Sequence, residues 1–335
     1  MSAVLPNSPG IGSVSVPPIT PSHVNTSVSQ TKSSPTGSLP GAKPAGLDRI
    51  GVIAIIAGTS FIAWTGIFFR FSEVGPITAA AWRMIIAVPA LMLWMRLLAN
   101  RPNSDGGAKI APAILPLLVP IILAGLSFAS DVAAFHISLT GTSVTNASFI
   151  GNIAPILAVI GGTAFFGEHP ERRVWAALAL ALTGSWVMAG MVGPAQLNHG
   201  DIWALGAAVS YCAYLLFIKQ LRVSLDGPTA TMWSAAVSAI VLTIAALIME
   251  PQFFPTTIIG WAAVLGIGLG SHAMGQGLTS IAMGRIPVGI VATVLLVQPP
   301  VTAVLAWIVV GERINSLQIT GGAIILIALV LARPK

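Results

Sequence analysis

The sequence predicts an all-α integral membrane protein with ten transmembrane helices, arranged as two five-helix repeats of inverted topology. Three observations lead there. Only 8% of the 335 residues are charged, 55% are hydrophobic and mean hydropathy is +0.88, whereas a water-soluble globule carries about 25% charged residues. Apolar runs of bilayer-crossing length follow one another, with cations concentrated in alternate connections. Blocks of sequence also recur at nearly constant spacing.

Residues 1–47 are rich in Ser, Pro, Thr and Gly and contain no aromatic residue. Such a segment cannot bury enough apolar surface to offset chain entropy, so a disordered cytoplasmic tail is expected. It has no basic start followed by an apolar core, and no cleaved leader is expected.

A helix needs about 20 apolar residues to cross roughly 30 Å of hydrocarbon. That ruler divides the rest into spans near 50–69, 75–95, 111–137, 143–166, 174–193, 201–218, 228–249, 257–283, 287–310 and 317–332. The last is the shortest. Thirteen of the sixteen Lys and Arg residues, from Lys32 to Lys335, fall on the face that holds the N-terminus; only Arg70 and Arg313 fall on the other. By the positive-inside rule both termini are cytoplasmic, in the cell (inner) membrane, which requires an even number of spans. The net charge of +6 is thus a topology signal rather than a nucleic-acid patch.

The repeat is visible in three places. "PILAVIGGTAFFGE" begins at Pro155 and "PPVTAVLAWIVVGE" at Pro299, 144 residues later. "GPITAAAW" from Gly75 resembles "GPTATMW" from Gly227, and Arg70 and Lys219 each close the helix before. Residues 48–193 and 200–332 therefore read as two copies of one unit. Five is odd, so the second copy enters the membrane from the opposite side, the usual build of secondary transporters with a midplane site between the halves. Glycine ends a helix at little cost and a carboxylate suits the positive start of the next one. Glu168 and Glu312 therefore read as helix punctuation, not solute ligands.

"HISLTGTSVTNASFIGNIAPILAVIGGTAFFGE" (136–168) and "GSHAMGQGLTSIAMGRIPVGIVATVLLVQPPVTAVLAWIVVGE" (270–312) resemble the paired signatures of the drug/metabolite transporter superfamily, specifically its EamA-like permeases. The resemblance covers about residues 48–333. It implies a multi-pass permease, usually an exporter of small metabolites, amino acids or drugs, without selecting one. It implies no cofactor, and as partners a small-molecule substrate and the lipid bilayer, with a homodimer left open. The long Ser/Pro tail departs from the family's usual short N-terminus.

Ionisable and amide side chains inside apolar spans are costly and normally face a cavity or a partner. Arg83 and Asp131 lie at a shared depth on neighbouring antiparallel spans, and the expectation is that they pair. His136 sits closer to the boundary; with Asp131 it is a candidate for proton coupling. His272 and Gln276 are one turn apart on one face. Asn152 and Gln298 stand beside prolines that interrupt their helices, and irregular backbone at depth is tolerated where it is buried or lines a cavity. Trp64 and Tyr214, with Tyr211, occupy related positions in the two copies and offer rings to a partly apolar solute. The expected cavity lining is therefore Arg83, Asp131, Asn152, His272, Gln276, Gln298, Trp64 and Tyr214. Gly266 and Gly270 have the spacing that lets helices approach closely.

Cys212 is the single cysteine, so no disulfide framework or zinc spacing exists and no metal is expected. The sequence contains no GxxxxGK[ST], HExxH, GxSxG or TVGYG stretch, which points away from an ATPase, a hydrolytic enzyme and a filter-type channel. The expectation is a permease moving a small organic solute by alternating access. The alternative is a membrane receptor or scaffold that binds a ligand without moving it.

Overall fold

The computed structural model describes residues 48–99, 114–138, 141–142, 144–189, 198–311 and 313–332. The expected N-terminal tail, Arg101, Lys109, Glu312, Arg333 and Lys335 lie outside the described residues. Ten helical stretches appear in the expected order. They are α1 (Arg49–Ala63, continuing as Thr65–Arg70), α2 (Pro76–Ala99), α3 (Leu118–Ser138), α4 (Val144–Gly151 and Ala154–Phe166), α5 (Arg172–Met188), α6 (His199–Leu221), α7 (Gly227–Met249), α8 (Ile258–Leu265, Gly266–Gln276 and Gly277–Met283), α9 (Val288–Leu295 and Gln298–Val310) and α10 (Ser316–Leu331). Eight of them are long and apolar enough to cross a bilayer. The exceptions are α5, at 17 residues, and α10, at 16. At 1.5 Å per residue α10 is about 24 Å long, short of a hydrocarbon layer of about 30 Å.

The repeat seen in the sequence recurs in the backbone. Both α4 and α9 are broken, at Asn152–Ile153 and at Leu296–Val297, 144 residues apart. Pro155 and Pro299 sit in the first turn of each second segment, where a proline's missing N–H costs no helix bond. Gly167 and Gly311 end the two helices with left-handed φ of 63° and 73°, a region open to glycine. The packing obeys the same exchange: α3 lies on α6 as α8 lies on α1, while α2 packs on α7, α4 on α9 and α5 on α10.

Helix starts explain the recurring Gly-Pro. Glu250, at the end of α7, accepts hydrogen bonds from the N–H groups of Ile77 (2.8 Å) and Thr78 (2.9 Å) in the first turn of α2. A Cβ on Gly75 would come within 2.1 Å of that carboxylate. Glu73 returns the contact: its carboxylate accepts from the backbone and hydroxyl of Thr256 and Thr257, which open α8. Those bonds hold the Glu73 carboxyl below the usual range, the Thr257 hydroxyl being the chief cause. They also offset the strain of a non-glycine residue at φ 59°. At Gly227 a Cβ would lie 2.8 Å from the backbone nitrogen of Ile281.

The face that carries Asp48 is crossed by ion pairs and helix caps. Asp48 caps α1 through the N–H groups of Ile50 and Gly51 and pairs with Arg285 at 2.8 Å. Arg285 is the main reason its carboxyl lies below the usual range. Glu168 accepts from Lys219 of α6 and, at 2.9 Å, from the N–H of Val288 at the start of α9. Arg222 donates to the carbonyls of Ser280 (2.8 Å) and Leu225. The Glu168 contacts show that the Gly-Glu tag serves a helix in the other half of the chain, not only its own.

Gly266 and Gly270 do not make the expected backbone approach. Gly266 faces the ring of Phe68, and α1 and α8 instead meet through Gly58 and Gly275, where a Cβ on Gly58 would lie 2.8 Å from the Gly275 carbonyl oxygen. The two short helices meet in the same way, since a Cβ on Gly321 would lie 2.4 Å from the carbonyl oxygen of Gly184. Neither backbone can give way. Gly321→Ala is expected to destabilise the protein by about 1–3 kcal/mol through overpacking, read as a lower thermal midpoint in detergent. Gly206→Ala, whose Cβ meets nothing within 4 Å, should leave that midpoint unchanged.

Candidate functional site

A cavity of about 410 Å³ lies between the two halves, within the range of roughly 300–1,000 Å³ typical of small-molecule sites. Its walls come from α1 (Ile62 to Phe69), α2 (Arg83), α3 (Phe128 to Phe135), α4 (Gly151), α6 (Ala207 to Tyr211), α8 (Gln276) and α9 (Gln298 and Thr302). These residues run from mid-depth toward the face where α1 ends at Arg70, with Gln276 the deepest along its helix. The cavity thus lies on the side away from the Asp48, Glu168 and Arg222 contacts.

Arg83 and Asp131 both face this space. The expectation that they pair needs correction: among the described residues no salt bridge joins them within 4.0 Å. The physical reason is Phe128. Its ring occupies the place beside the guanidinium, which sits over it at 5.3 Å from the centroid, a favourable cation–π placement. Asp131, three residues further along α3, is left facing the cavity. Nε of Arg83 has no hydrogen-bond partner, although the residue is only 9% exposed.

His272 and Gln276 part company. Residues Gly266–Gln276 form a π-helix, whose i→i+5 bonding widens each turn and shifts the register of side chains four apart. Gln276 reaches the cavity, its Nε2 3.5 Å from the Tyr211 hydroxyl and its Oε1 unpartnered. His272 turns behind the wall, edge-on to Phe128 at 5.2 Å, buried and with neither ring nitrogen bonded.

Tyr214 is also behind the wall, packed on Phe128 (4.8 Å) and stacked on Tyr211 (5.9 Å), which lines the cavity itself. Trp64 stacks on Phe68 at the turn inside α1 and is not part of the lining. Asn152 lies in the break of α4, where its neighbour Gly151 lines the space in its stead; Gln298 does line it. His136 falls on α3, but its side chain is outside the described residues.

The structure therefore gathers Arg83, Asp131, Gln276 and Gln298 around one cavity and sets Asn152, His272, Trp64 and Tyr214 beside or behind it. Sequence reasoning passed over Phe128, Gly66, Gly151 and Thr302. Thr302 links the halves by donating to the Ala63 carbonyl at 3.1 Å. An aromatic residue one turn before an intramembrane acid was the available signal for Phe128; the glycines gave none. Among the described residues no group of three His, Cys, Asp or Glu side chains is placed to hold a metal. The cavity offers a cation, an anion, two amides, a phenol and three phenyl rings, a set suited to charge-assisted hydrogen bonding of a small solute.

The model of the EamA-like transporter family matches residues 49–190 and 198–333. The chain is 27% identical to the uncharacterized transporter YwfM of Bacillus subtilis, over 57% of this chain and 64% of that protein. It is 24% identical to the threonine/homoserine exporter RhtA of Escherichia coli K12, over 62% of this chain and 68% of that one. It is 23% identical to the pseudopaline exporter CntI of Pseudomonas aeruginosa, over 85% and 96% respectively. A solved crystal structure shares the fold with a TM-score of 0.70 at 18% identity, covering 84% of this chain and 96% of that one.

Phe128 is 2% exposed and touches Arg83, Tyr214 and His272. Phe128→Ala is expected to cost about 3–5 kcal/mol of stability, seen as a marked fall in the thermal midpoint of the purified protein. Phe128→Leu, which keeps most of the volume, should cost far less; equal midpoints for the two would contradict the wall-forming role.

Proposed function

The chain belongs to the EamA-like transporter family, and from that premise we propose that it is a secondary exporter of a small zwitterionic metabolite of amino-acid type. A multi-pass membrane transporter is the coarser statement; the solute class, the direction and the mechanism are our reading. One observation carries it: Arg83 and Asp131 face the same cavity within electrostatic reach of each other, yet among the described residues no direct salt bridge joins them. A solute bearing a carboxylate and an ammonium would complete both charges at once. Arg83 would take the carboxylate, Asp131 the ammonium, and Gln276, Gln298 and Tyr211 would donate or accept at the remaining polar atoms.

Two features support movement by alternating access. The cavity occupies the Arg70 half of the bundle, while contacts between the two halves at Glu168 and Asp48 tie the opposite end. The halves, taken as residues 48–193 and 200–332, are related by an exchange that maps the α3–α6 contact onto α8–α1 and returns α2–α7, α4–α9 and α5–α10 to themselves, so a rocking motion would open either end about one site. The excess of Lys and Arg on the Asp48 face supports placing that face and both termini in the cytoplasm, which would make the cavity open outward. Relatives named as exporters of threonine, homoserine and pseudopaline agree with outward movement. Asp131 is the group we assign to proton coupling, because protonation would release the ammonium it holds.

Counterflow in proteoliposomes tests the reading. Vesicles loaded with unlabelled amino acids should accumulate labelled solute saturably; binding without flux would mean a receptor. Arg83→Ala removes a hydrogen bond to a charged group, worth about 1.5–3 kcal/mol, so flux should fall roughly 10- to 150-fold. Asp131→Asn should abolish acceleration by an imposed pH gradient, and an unchanged acceleration would exclude it as the coupling group.

A further inference from the structure

Most described glycines have a visible reason to be glycine. Gly58, Gly75, Gly184, Gly227 and Gly321 admit a neighbouring chain or carboxylate where a Cβ would collide, and Gly167 and Gly311 are left-handed. Gly66 of α1 and Gly151 of α4 have neither reason. Neither has a positive φ, and among the described residues a Cβ added at either meets no atom within 4 Å. Both line the cavity. What they leave is empty volume inside a transport site.

The same cavity holds unspent hydrogen-bonding capacity from deeply buried groups: Oε1 of Gln276, 2% exposed, and Nε of Arg83, 9% exposed. On the zwitterion reading these groups would fix the polar end of a solute, leaving the space at Gly66 and Gly151 for its apolar part. We infer that Gly66 and Gly151 set the size limit of the exported amino acid, by leaving room for its side chain. This rests on the zwitterion-exporter reading and adds to it which positions decide among zwitterions. A competing role is physical and testable: the two glycines could instead let helices come together when the cavity closes, in which case every solute would suffer alike.

The experiment measures counterflow of alanine, threonine, leucine and phenylalanine in proteoliposomes holding the full chain, the Gly66→Val variant or the Gly151→Val variant, with Gly66→Ala and Gly151→Ala as milder steps. The readout is the flux ratio of leucine or phenylalanine to alanine within one vesicle batch, which cancels differences in the amount of folded protein. A few methylenes in an apolar site change discrimination about 10- to 200-fold. Each Val variant should lower the ratio about tenfold or more and each Ala variant less. Equal losses for all four solutes, or an unchanged ratio, would overturn the size-limit role while leaving the exporter reading intact. If the unmodified protein moves none of the four, the zwitterion reading itself fails.

Discussion

Hydrocarbon offers neither a hydrogen-bond partner nor a counter-charge, so each polar group that enters this bundle must be met by the bundle itself or by what its cavity holds. That constraint accounts for the features that set this chain apart from a bare packing of apolar rods. Carboxylates at Glu73, Glu168 and Glu250 cap the first turns of helices far away in sequence, turning free N–H groups into ties between the halves. Each such tie places a negative charge at the positive end of a helix, where it is favoured. The breaks in α4 and α9 fall at mid-depth beside the cavity, where freed backbone groups are not forced into lipid.

The two faces use that constraint differently. Toward Asp48 the ion pairs and caps knit α1 to the α8–α9 turn and α6 to the loop after α4. Lys219 adds to this knot, lying near the Phe166 ring at 5.7 Å. Toward Arg70 the outer ends are held by Glu73 and Glu250, but these join α2, α7 and α8 at one side of the bundle. The cavity remains between them and α3, α4 and α6. Arg83 and Asp131 line it without a direct salt bridge, an arrangement that would be expensive in a dry interior and is less so beside space that water or a solute can fill.

Much of this was readable in the sequence. Hydropathy runs and alternating cations locate ten helices, because bilayer thickness imposes a length that composition must meet. The Pro155 and Pro299 blocks locate the two breaks, because a proline is cheapest in the first turn of a helix, although Pro89 shows that one is also tolerated inside α2. What failed were statements about which side chains touch. The expected Arg83–Asp131 pair shared a depth, but the Arg83 guanidinium lies over the Phe128 ring, and no spacing rule carries that information. The His272–Gln276 face assumed α-helical register, and the π-helix at Gly266–Gln276 changed it. Gly266 and Gly270 have the spacing of a close crossing, yet the crossing uses Gly58 and Gly275. Gly66 and Gly151 were invisible for a simpler reason: a residue that matters by leaving space looks like any other small residue in an apolar run.

Under the proposed mechanism the cavity communicates with one face at a time, and the Glu168 contacts with Lys219 and Val288 hold the other face closed. In a Cys212→Ser background, Ala207→Cys places a thiol on the cavity wall, and a membrane-impermeant maleimide can be applied from either side of oriented vesicles. Labelling is expected from the Arg70 face alone, with a shift toward the Asp48 face when Glu168→Gln is added. Labelling from both faces without that second change, or a pattern indifferent to it, would contradict the account.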